Sequence, residues 1–142
     1  MPRYWLMTPA ADWEDWKKDG IISSKWITLK NYLEYSKEDL EKELKTRYIK
    51  YYDRAKQIIE FSKSMQIGDF ILLKKGNYII AYGQVTSDYI YNPERQRKHI
   101  RKVHWISIDS WKINEELPHK DLKDITNEPI LKTIKEIVFR ES

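Results

Sequence analysis

The chain has 142 residues and no cysteine, which excludes disulfides, thiolate metal sites and cysteine nucleophiles together and suits a reducing cytoplasm. Its length fits one domain spanning 1–142, able to bury roughly two thirds of its unfolded surface. It carries a formal net charge of +4, a sequence pI near 9.1 and 13% aromatic residues, a balance that favours nucleic acid over an acidic small substrate. Charged residues make up 34% of the chain, and the wealth of Lys, Glu and Ile leans towards a heat-adapted source. No apolar stretch approaches the roughly 18 residues of a membrane span, and the N-terminus lacks the pattern of a secretory signal. These features predict a soluble cytoplasmic protein with no membrane partner.

In chain order, Tyr4-Trp5-Leu6-Met7 predicts a short strand closed by Thr8-Pro9, since the residue before proline avoids the helical region. Asp12 is placed to cap a helix of about two turns, with Trp13 and Trp16 on one face and Gly20 as its left-handed stop. Residues 21–27 read as extended, with Ser23, Ser24 and Trp26 interrupting the apolar run where a pocket would be lined. From Ser36 the pattern turns helical. Ser36 and Asp39 form a start resembling a capping box, and Leu40, Leu44, Tyr48, Tyr51, Tyr52, Ala55, Ile58 and Ile59 recur on one buried face, with a break allowed between Tyr48 and Asp53.

Two apolar strands follow, from Gly68 to Leu73 and from Tyr78 to Val85, joined by a Gly76-Asn77 turn. Beyond them come Tyr89-Ile90-Tyr91 and a basic run. Within 89–105, Arg95, Arg97, Lys98, Arg101 and Lys102 stand against Glu94 alone, a net +4 equal to that of the whole chain. A charge run is also what a solvated loop looks like, but rings interleaved with cations suit bases and phosphates. A third strand runs from Val103 to Ile108, with Val103, Trp105 and Ser107 on one face, and Trp111 plugs the core. The tail predicts an irregular connection and then a terminal helix on the sheet, through Ile130, Leu131, Ile134, Ile137 and Val138.

Catalytic motifs are lacking. His99, His104 and His119 have no ligand spacing, which predicts no metal site, and four glycines form neither a Walker loop nor a dinucleotide fingerprint. No cofactor and no enzymatic activity are expected.

The order Tyr4-Trp5-Leu6, Asp12-Trp13 with Trp16, Gly20 to Trp26, Ile67 to Leu72 and Ala81 to Ser87 resembles the EVE branch of the PUA-like superfamily, which is similar in fold to YTH domains. The stretch from Tyr89 through His99 to Trp105, with Glu116-Leu117-Pro118, is similar to the DNA-recognition domain of archaeal and bacterial McrB-type restriction proteins. The likeness spans nearly the whole chain around a helical insert at 35–64. It implies an α+β fold, a curved, barrel-like β sheet flanked by helices, with a pocket for a base turned out of a duplex. It implies Trp26 as one wall of an aromatic cage, and Tyr89 or Tyr91 as the other in place of the tryptophan usual in YTH domains. The asparagines that fix the base in YTH domains have no counterpart between Thr8 and Ala11. Ser23, Ser24 and Lys25 would meet the base edge, and Arg95, Arg97, Lys98, Arg101 and Lys102 the phosphates. The implied role is a DNA-binding specificity module of a modification-dependent restriction system, reading N6-methyladenine in methylated duplex DNA. A GTP-hydrolysing ring motor and a nuclease subunit would supply the remaining activities. A reader of modified cytosine in DNA and a PUA-like reader of modified or structured RNA are the alternatives.

Overall fold

The computed structural model describes residues 1–24, 29–47 and 54–139. Strand β1 (Tyr4–Met7) lies between two others, which pair both its edges, and cores on both its faces bury three of its four side chains. It pairs in parallel with β3 (Phe70–Lys75) and antiparallel with β7 (Leu122–Asp124). β3 turns through Gly76, at φ +59°, into β4 (Tyr78–Val85), and the Asn77 amide donates to the carbonyls of Ile113 and Glu115. β4 pairs with β6 (His99–Lys112), whose far edge takes β2 (Ile21–Ser23), and β5 (Ile90–Tyr91) also joins β6. The order β2-β6-β4-β3-β1-β7 makes one mixed sheet, curled into a half-barrel with register shifts along β4.

Period-two alternation sends β1 and β3 side chains to two cores. Trp5, Met7, Ile71 and Leu73 face α1 (Trp13–Asp19), α2 (Lys37–Arg47) and α3 (Ala55–Ile59), the last continuing into a π-helical turn, Glu60–Ser64. Leu6 and Leu72 face the opposite way, onto Leu131, Ile134 and Val138 of α4 (Ile130–Ile134) and its continuation Lys135–Phe139.

The expected first strand, the first helix with its stop at Gly20 (φ +65°), the hairpin and the terminal helix are all present. The Ser36 hydroxyl accepts from the Asp39 N–H, as a helix start requires. Two expectations need correction. The third strand begins at His99, not Val103, so part of the basic run is sheet, because residues 99–102 find backbone partners in β2 and β5. The connection after Leu117 contains β7, a strand too short to leave a sequence period. The allowed break at 48–53 lies outside the described residues.

Candidate nucleic-acid interface

Where β1 ends at Thr8-Pro9, the chain turns away from the sheet and leaves a cavity of about 120 Å³. Met7, Thr8, Asp12 and Trp16 line one side; Ser23 and Ser24, at the end of β2, line a second; Gln57, Ile58 and Phe61, from α3 and its π turn, close it with Leu122. An apolar cavity of about 150 Å³ takes up benzene, so this one is on the scale of a single aromatic ring. Trp16 is the largest side chain in the lining. Its indole N–H donates to the Ser23 hydroxyl at 2.7 Å, and its carbonyl accepts from the Trp105 indole at 3.0 Å, which fixes the ring. Two carboxylates border the cavity: Asp12, bound to Arg97 at 2.8 Å, and Asp121, 3.8 Å from Arg54. Thr8 Oγ1 and Arg54 Nε are buried beside it without a hydrogen-bond partner among the described residues.

Of the residues expected at a base pocket, Ser23 and Ser24 line this cavity. Lys25 and Trp26 lie outside the described residues. Tyr89 is buried in a stack of rings. Its hydroxyl accepts from the Tyr32 N–H at 3.0 Å and lies 2.7 Å from His99 Nδ1, while its ring stacks at 5.3 Å on Tyr32, which in turn covers His99 at 3.9 Å. His99 Nε2 faces the Leu29 carbonyl, which can only accept, so in the neutral ring Nε2 donates to it and Nδ1 accepts a hydrogen bond from the Tyr89 hydroxyl. Burial pushes the Tyr89 phenol up to about 12. Tyr91 stacks on the outer side of His99 at 5.1 Å and keeps partial exposure. Ser24 joins the stack to the cavity, its hydroxyl 2.6 Å from that of Tyr32.

The basic residues part company. Arg95, Arg97 and Lys102 share a surface cleft with Lys18 of α1, a cation whose place on a two-turn helix gave no sequence signal of its own. Arg97 in this cleft is paired twice, with Asp12 and with Asp15 at 2.6 Å, and these carboxylates hold its proton above the usual range. Lys98 is half-buried just before β6. Arg101 departs from the expected phosphate role: it is 2% exposed, and its guanidinium donates to the carbonyls of Phe61, Ser62, Met65 and Ser87 at 2.7 to 3.3 Å. Desolvation lowers its pKa, and the four carbonyls compensate the buried charge. No helix among the described residues is long and apolar enough to cross a membrane.

The half-barrel sheet, with helices on both faces and a ring-sized cavity at the end of β1, defines an α+β domain with the YTH-like, PUA-type fold. Within that class the chain belongs to the family described as "Domain of unknown function (DUF8426)", whose model matches residues 7–132. Among solved structures it is similar to the YTH domain of the Zygosaccharomyces rouxii MRB1 protein in complex with N6-methyladenosine RNA, at 16% identity over 95% of this chain and 85% of that one, with a TM-score of 0.50. It is also similar to Rpa0253 from Rhodopseudomonas palustris (10% identity, 94% and 91% covered, TM-score 0.46) and to Atu2648 from Agrobacterium tumefaciens (13%, 94% and 92%, 0.45). No curated protein matches the chain.

Proposed function

We propose that this domain is a non-catalytic nucleic-acid reader that seats a modified base, turned out of its stack, in the cavity walled by Trp16 and Phe61. The observation that carries this reading is the junction of a ring-sized cavity with a cleft where Lys18, Arg95, Arg97 and Lys102 outnumber Asp15 and Asp19, since Asp12 on the cavity and Arg97 on the cleft are bound to each other. Extruding a base costs a few kcal/mol. Stacking returns about 1–3 kcal/mol per base, and each methyl buried adds roughly 0.8 kcal/mol, so one indole wall and one methyl are enough to bias the balance towards a modified base. The sequence resemblance assigns a further wall to Trp26, two residues after Ser24. Arg95, Lys18 and Lys102 in the cleft, and Lys98, next to Arg97 in the chain, would meet phosphates.

Within this reading the target is N6-methyladenine in duplex DNA, and the domain is the specificity module of a modification-dependent restriction system whose motor and nuclease lie in other domains or subunits. RNA is the second reading, supported by the methylated RNA bound to the similar YTH domain. The test is binding to duplexes carrying adenine, N6-methyladenine, cytosine or 5-methylcytosine, alongside matched RNA, for wild type and Trp26→Ala. Preference for one methylated duplex, lost in the variant, is expected. Equal affinity for all ligands would refute base reading, and preference for the matched methylated RNA would replace DNA with RNA.

A further inference from the structure

Asp12 stands at the N-cap position of α1, where an aspartate ordinarily accepts from the first helical N–H groups, yet its side chain makes no capping hydrogen bond. The Arg97 guanidinium holds it instead, with Nη1 on Asp12 at 2.8 Å and Nη2 on Asp15 at 2.6 Å. One planar fork therefore spans two carboxylates on adjacent turns, a geometry that fixes orientation as well as charge. The Asp12 pair is half-buried and the Asp15 pair more exposed, so the fork ties the loop ahead of β6 to α1 and at the same time sets where the Asp12 carboxylate points. Arg97 is also a poor phosphate ligand, because two carboxylates already neutralise it. What it does accomplish is to hold the Asp12 carboxylate in place at the edge of the cavity.

An ionised carboxylate only accepts hydrogen bonds. The Ser23 hydroxyl already accepts from Trp16, and the Ser24 hydroxyl is engaged with Tyr32; of the two carboxylates on the cavity, Asp121 lies by Arg54, and Asp12 is the one bound to Arg97 of the cleft. A base whose phosphates lie in that cleft enters past it. We infer that Asp12 reads an N–H retained on the modified exocyclic amine, and that Arg97 is a positioning residue for Asp12 rather than a backbone contact. The ligand class follows: a base whose exocyclic nitrogen is methylated once and still bears a hydrogen. This rests on the reading of the cavity as a base pocket.

The experiment measures binding, at several salt concentrations, to duplexes carrying adenine, N6-methyladenine or N6,N6-dimethyladenine, the last having no N–H to give. Wild type is expected to favour the monomethylated over the dimethylated duplex by about tenfold or more, the scale of a hydrogen bond to a charged group. Arg97→Gln should collapse that gap with an unchanged salt slope, and Arg97→Lys should retain part of it. Lys102→Gln should weaken all three duplexes alike and reduce the slope by about one ion. Thermal melts of each variant establish that it is folded. The inference is overturned if Arg97→Gln weakens all duplexes equally with a flattened slope, or if wild type binds the dimethylated duplex as well as the monomethylated one. A wild type that does not separate methylated from unmodified DNA refutes base reading itself, and that outcome involves no variant.

Discussion

Replacing Arg101 by methionine tests whether the buried arginine of the basic run belongs to the fold or to the ligand. Four backbone carbonyls, at Phe61, Ser62, Met65 and Ser87, take their hydrogen bonds from its buried guanidinium. Each bond from a charged donor contributes about 1.5–3 kcal/mol. Removing the charge recovers a desolvation cost of several kcal/mol, so the net loss comes to about 3 kcal/mol. At roughly 2.1 cal/mol/K per residue the unfolding entropy of 142 residues is about 0.3 kcal/mol/K, which converts that loss into a fall in Tm of about 10 °C. Arg101→Lys should fall between, because one ammonium cannot span carbonyls that a planar fork reaches. Circular dichroism melts measure this, with Lys102→Gln as the exposed control expected to melt within a degree or two of wild type. An Arg101→Met protein that melts like wild type but binds DNA with a flattened salt dependence would refute the burial argument and return Arg101 to the phosphates.

Tyr89 gives a pH signature. Its folded pKa of about 12 lies above the ordinary value of 10, so the folded state keeps the proton longer, and the associated stability is intact below pH 10 and lost as pH rises from 10 to 12. The loss is on the order of 2 kcal/mol. Denaturant titrations across this window should show Tyr89→Phe with a shallower decline than wild type, and equal declines would contradict the burial assigned to this ring. Gly83→Ala should cost about 1–3 kcal/mol by overpacking, because the added carbon would lie 2.6 Å from the His104 carbonyl oxygen and 2.8 Å from Val103 and Trp105 side-chain atoms. An unchanged urea midpoint would show that β4 and β6 are not so closely apposed there.

Locally encoded features were readable from the chain: the Thr8-Pro9 strand end, the Gly20 helix stop, the Gly76-Asn77 turn and the apolar period of the terminal helix each depend on neighbours a few residues away. What escaped depends on pairing across the sheet. His99, Ile100 and Arg101 are all buried in succession, because stacked rings cover His99, Ile100 joins the core and the π turn after α3 caps Arg101, and no two-residue period survives covering on both faces. Arg101 therefore looked like one more cation in a loop. Trp16 was legible as a residue sharing a face with Trp13, but its place as a cavity wall depends on Ser23 reaching its indole from the next strand. Asp12 was legible as a cap, and its diversion to Arg97, distant in sequence, was not.

The 14 residues of β6 answer to two different sets of neighbours: at one end they align β2 and the serines of the cavity, and at the other they anchor β4 and, through Trp111, the core beneath α4. Residues can be exchanged along such a strand one at a time, but its length cannot change. Removing a single residue near Val103 would rotate Arg101 and Lys102 through opposite faces, exposing the guanidinium and burying the ammonium. A change of length is borne more easily by the loop ahead of β6, residues 92–98, while the strand acts as a fixed ruler between cavity and scaffold.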